Sequence, residues 1–167
     1  HTAAPPRVLS LGGRFVIDDV AQTPNTMITV YDYPDVPVIY EQRNLSAKPG
    51  VNYMDQCHGL RVGVVVQCEG GVVAGLVGAT ASDRDGKVIK KFEGTGGGIE
   101  HMRNFLQAVK SRRAADLAAP TEFGHGVAAY CHYGNISYRL GAAASVARVE
   151  QVFEGAPAAR GILDEGS

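Results

Sequence analysis

The chain lacks the charge surplus that nucleic-acid binding needs. Its 16 Lys+Arg stand against 17 Asp+Glu, a net charge of −1. Counterion release from phosphates requires cations gathered on one face, and the densest basic cluster (Lys110, Arg112, Arg113) is short. That argues against a nucleic-acid partner. No window approaches the ~20 uncharged apolar residues of a membrane span. The closest, Gly70 to Ser82, is glycine-rich and reads as strand and turn. The three cysteines (Cys57, Cys68, Cys131) are odd in number and form no C-x-x-C pair. A disulfide framework is therefore not expected, and all three read as small buried hydrophobes.

What remains is an ordinary globular composition, 45% hydrophobic and 20% charged over 167 residues, which excludes disorder and collagen-like structure. A chain of ~150 residues buries about 70% of its unfolded surface, so one domain is expected. The chain opens on His1 with no signal-like apolar core behind it, which points to a processed chain or a piece of a longer one.

Apolar patterning divides the chain. Arg7 to Ile17 reads as a strand with a bulge or bend at Gly12–Gly13. Met27 to Tyr33 and Val36 to Arg43 flank Pro34-Asp35 as a hairpin, and Leu60 to Cys68 and Val72 to Ala79 do so around Glu69-Gly70-Gly71. Asp83-Arg84-Asp85-Gly86, the strongest turn signal, leads into Lys87–Phe92, whose lysines suggest a wet face or an edge. Ile99, Met102, Phe105, Leu106 and Val109 then recur at helical spacing. A second helix after Pro120 puts Val127, Cys131, Gly134 and Tyr138 on one stripe, with Gly134 placed to admit a close neighbour and Gly141 as the stop. A third amphipathic segment carries Val146, Val149 and Phe153. Strands first and helices later predict an α+β domain over 1–167: an open, mainly antiparallel sheet with two or three helices packed on one face.

Few residues suggest chemistry. Gly94-Thr95-Gly96-Gly97-Gly98 lies where a phosphate cradle would sit, but it fits neither G-x-G-x-x-G nor a Walker-type loop, so it reads as a strand-to-helix connection. Glu122, His125 and His132 lack the second copy that a carboxylate-bridged metal site needs, and H-E-x-x-H is absent. Cys131 and His132, adjacent on a helix, point about 100° apart and form no nucleophile–base pair, which leaves Cys131 as core. Asp18-Asp19, Asp83 and Asp85 read as turn residues. His101, Arg103 and Asn104 open the first helix, where they would bind an anion or polyol or else tie the helix down. Tyr130, Tyr133, Tyr138 and Arg139 put polar tips on the second helix, as at a domain or subunit interface. The residues alone give no catalytic constellation and no metal site.

Three segments together are familiar. They are Thr23-Pro24-Asn25-Thr26; Lys87–Phe92 running through the glycine loop to His101-Met102-Arg103-Asn104-Phe105 and Ala108-Val109-Lys110-Ser111-Arg112; and Gly124-His125-Gly126 with Cys131 to Gly141, which contains Asn135-Ile136-Ser137-Tyr138-Arg139-Leu140-Gly141. From about Gly12 to Gly141 the chain resembles the C-terminal half of the Gfo/Idh/MocA family of NAD(P)-dependent oxidoreductases, in its planctomycete-like form. The resemblance implies a parent whose N-terminal Rossmann domain, absent from this chain, binds NAD or NADP. The C-terminal domain would cover a sugar, inositol or related polyol oxidised by hydride transfer, and would form a homo-oligomer through its open sheet face. The glycine fingerprint and the Glu-Lys-Pro segment of the family are missing, and its catalytic-histidine stretch would precede His1. No catalytic or cofactor-binding residue is therefore carried over, and this chain by itself is expected to bind no cofactor and to be inactive. The compartment stays open, since an export signal would also precede His1. The rival expectation is a stand-alone, non-catalytic ligand-binding or oligomerisation module of the same fold.

Overall fold

Among the described residues seven strands precede two long helices and every strand pairing is antiparallel, so the fold is α+β. The computed structural model describes residues 4–54, 56–95, 97–145, 147–149 and 151. They divide into two compact units, His1–Leu45 with Glu122–Ser167, and Ser46–Thr121. The strands divide with them, three in the first unit and four in the second.

In the first unit β1 (Val8–Gly13), β2 (Thr26–Tyr31) and β3 (Val38–Arg43) form a sheet in that order. β2, rich in β-branched and aromatic residues, is central and supplies most of the buried side chains: Met27, Thr29, Val30 and Tyr31. The pleat sends alternate residues to opposite faces. Val30, paired with Leu9 and Ile39, packs with them and with Val149 on one face. Thr29 and Tyr31 point to the other, where α2 (Thr121–Leu140) lies. Of the third amphipathic segment, Val149 is described; Val146 and Phe153 lie outside the described residues.

The seat of α2 is polar. Ser10 Oγ donates to the Gly134 carbonyl (2.9 Å), Tyr31 Oη donates to the Tyr130 carbonyl (2.7 Å), and Ser137 Oγ donates to the Val8 carbonyl (3.1 Å). Such bonds contribute about 1 kcal/mol each. They are short because Gly134 is buried with no side chain; a Cβ there would lie 3.1 Å from Thr29 Oγ1. The expected close approach at Gly134 is met. The contact stripe differs from the expected one. Val127 and Cys131 are exposed, and the helix is turned so that Tyr130, Gly134 and Ser137 meet the sheet. Cys131, one residue and about 100° on from Tyr130, is carried off that face. Cys57 and Cys68 are exposed as well, so the reading of the cysteines as buried hydrophobes is overturned for all three.

The β1–β2 connection is clasped at its base. Buried Asn25 pairs through its side chain with the Phe15 backbone, Nδ2 donating to the carbonyl (2.8 Å) and Oδ1 accepting from the amide (3.1 Å). Arg14 pairs with Asp19, whose carboxylate also accepts from Ala21 N. Within this loop Ile17 N donates to Phe15 O (2.7 Å), closing a γ-turn around Val16 at φ 67°. That conformation is strained for a β-branched residue, and Val16 is 95% exposed.

In the second unit β4 (Val64–Cys68), β5 (Gly71–Gly75), β6 (Ala79–Asp83) and β7 (Val88–Phe92) form a meander in chain order. The run Val72–Ala79, expected as one strand, turns at Leu76-Val77-Gly78 and feeds two. The Asp83–Gly86 turn forms as expected, with Asp83 Oδ1 accepting from Asp85 N (3.1 Å) and Lys87 N (2.8 Å). β7 is an edge strand, in keeping with its lysines. After it, Gly94 packs on the β5–β6 turn so tightly that a Cβ would lie 1.8 Å from the Val77 carbonyl oxygen. The glycine loop thus begins as a close backbone contact. α1 (Gly98–Ser111) follows, then a single 3₁₀ turn at Ala114–Asp116.

Candidate functional site

The residues singled out for binding, His101, Arg103 and Asn104, lie in the first half of α1. Gly97 precedes the helix in the left-handed region, no side chain caps it, and Glu100 occupies the first turn, where a carboxylate suits the positive helix end. Asn104 is fully engaged. Its Nδ2 donates to the Asp116 carbonyl (2.6 Å) and its Oδ1 accepts from Ala118 N (2.9 Å), which fixes the connection after the helix. Arg113 pairs with Asp116 in the same turn. Asn104 therefore ties the helix down, one of its two expected roles. His101 and Arg103 are exposed. Being two residues apart they diverge by about 200° around the helix, so the three side chains do not converge on one ligand.

Sequence reasoning singled out Tyr130 and Tyr133 as interface residues of the second helix but missed that Tyr31 and Tyr33 join them in a tyrosine cluster within the first unit. The Tyr33 and Tyr130 hydroxyls are 2.6 Å apart, and the Tyr31 and Tyr130 rings meet edge to face at 5.0 Å, with Tyr133 beyond at 6.3 Å from Tyr130. The available signal was the alternation that sends Tyr31 and Tyr33 to one side of an extended segment. Burial, followed by the nearby Cys131, Tyr40 and Tyr130, pushes the Tyr31 hydroxyl up to about 12. Tyr33 is likewise pushed up to about 12, by burial first and then by its hydrogen bond to Tyr130. Both stay protonated at neutral pH and fasten the structure as hydrogen-bonding groups; neither is poised for acid–base work.

Among the described residues no three His, Cys, Asp or Glu side chains are grouped to hold a metal ion. Among them, too, no helix is long and apolar enough to cross a membrane. The polar contacts of Asn104, Arg113, Tyr31 and Tyr33 fasten the fold. The unusual feature is apolar surface left in water, on the four-stranded sheet and on α1.

No family model, no curated protein and no solved structure matches the chain.

Proposed function

We propose that the chain is an assembly domain, the substrate-covering and oligomerising half of a Gfo/Idh/MocA-like oxidoreductase. In this reading the parent oxidises a sugar, inositol or related polyol, and NAD or NADP sits on a separate Rossmann domain. The resembling segments support it by falling on connected elements: Lys87–Phe92 on β7 and its approach, His101 to Ser111 on α1, and Asn135 to Leu140 in the last turns of α2.

One observation carries the assembly role. Register puts Val64, Val66 and Phe92 on one face of the four-stranded sheet and Val88 on the other, and all four are exposed. Of the residues in this unit whose placement is described, Ala108 alone is a buried hydrophobic. Apolar surface of this kind marks an interaction site, and a closed symmetric pair is the commonest way to cover it. Sedimentation equilibrium is expected to give a homodimer that Val64→Lys with Val66→Lys converts to monomer. A clean monomer of the unaltered chain at high concentration would sink the assembly role, and micromolar NAD(P) binding by calorimetry would sink the division of labour. The stand-alone module shares the same sheet. An upstream reading frame lacking a G-x-G-x-x-G turn and a Glu-Lys-Pro segment would favour it.

A further inference from the structure

α1 carries a second uncovered surface with a character of its own. Ile99, Met102, Phe105, Leu106 and Val109 are between 43% and 66% exposed. Ile99, Met102, Leu106 and Val109 follow the three-four-three spacing of a helix-pairing seam, with Phe105 beside it. The opposite side of the helix is already committed, through Asn104 to the Asp116–Ala118 connection and through buried Ala108. The seam is therefore held facing outward.

Charge decides what fits it. Arg103 and Lys110 are seven residues apart, so they occupy the same flank of successive heptads, and neither makes an ion pair among the described residues. Antiparallel pairing with a second α1 would set these cations against each other, and parallel pairing would set them against Phe105. Self-association through α1 is thus disfavoured. A lipid surface wants a polybasic face, but apart from Arg103 and Lys110 the polar side of α1 carries Glu100, His101, Asn104, Gln107 and Ser111, and Arg113 after the helix is paired with Asp116. We propose that the apolar seam of α1, with Arg103 and Lys110 on its flank, docks an acidic amphipathic helix of a protein partner. Leucine-like side chains of that helix would fill the seam, and its carboxylates would meet the two cations and exclude basic helices.

The probe is a designed 21-residue peptide with Leu at both seam positions of each heptad and Glu at the flanking ones; its twin carries Lys in place of Glu. Fluorescence anisotropy on the full chain is expected to show the Glu peptide binding about tenfold or more tighter than the Lys peptide. Arg103→Glu with Lys110→Glu, both at exposed positions, is expected to reverse that order. The Glu peptide is also expected to slow peroxide oxidation of Met102, which should be fast in the chain alone. Equal binding of the two peptides, or none, overturns the proposal. So does slow Met102 oxidation in the chain alone, which would mean that the chain covers its own seam. Vesicles of phosphatidylserine and phosphatidylcholine that bind the chain, while the Glu peptide does not, would replace the protein partner with a membrane.

Discussion

The two units hold themselves together by different means. The three-stranded unit buries a central strand and fixes its helix with hydroxyl-to-carbonyl hydrogen bonds. Among its described residues the four-stranded unit buries almost no hydrophobic side chains, and it relies on backbone packed against backbone, as at Gly94 on the Val77 carbonyl. A unit locked by side chains tolerates partial loss, because each hydroxyl contributes only about 1 kcal/mol. One locked by main-chain contact has little to yield. It also leaves its apolar side chains free for other surfaces, which links its thin core to its proposed role.

The sharpest way to break the comparison is Gly94→Ala. No rotamer change relieves a Cβ placed 1.8 Å from a carbonyl oxygen. The four-stranded unit is expected to lose about 3 kcal/mol or more, while hydrogen exchange in the three-stranded unit stays unchanged. Gly134→Val comes next. Its first added atom meets the Thr29 side chain, which can give slightly, and the branches cannot be absorbed, so a loss of about 2–3 kcal/mol is expected in the three-stranded unit alone. Gly134→Ala should be nearly neutral there, since better helix propensity of about 1 kcal/mol offsets the crowding. Urea unfolding followed by unit-resolved exchange checks both; a Gly134→Val chain as stable as its parent would refute the close seat.

The mildest effect is set by pH. Tyr31 and Tyr33 titrate near 12 when folded, against an ordinary 10 when unfolded. Their contribution is therefore fully present below pH 10 and is lost between about 10 and 12, as the unfolded chain releases its protons first. The urea midpoint of the three-stranded unit should fall across that window. Tyr31→Phe should flatten part of the fall, and a midpoint level through pH 12 would contradict the cluster's burial.

Much of this was legible in the residues. Pro34-Asp35 and Asp83–Gly86 punctuate two hairpins where turn chemistry is local, and the spacing from Ile99 to Val109 falls one residue inside the start of α1 and two short of its end. Leu76-Val77-Gly78 escaped notice because two of its three turn residues are apolar and continue the strand pattern. The facing of α2 was misjudged for a related reason. Apolar periodicity pointed to Val127 and Cys131, but hydroxyls and a glycine decide the contact. The binding residues show the same limit. Adjacency suggested that His101, Arg103 and Asn104 act together, whereas helix geometry separates Arg103 and the connection after α1 occupies Asn104.

The direction of the bonds that seat α2 has an evolutionary consequence. Ser10 and Tyr31 donate from the strands to main-chain oxygens of the helix, and every amino acid offers such an oxygen. Selection for a seated helix therefore acts mainly on β1 and β2. Outside Tyr130, Tyr133, Gly134 and Ser137, the exposed positions of α2 are free to drift, so its outward side can be rewritten for new neighbours while the helix keeps its place.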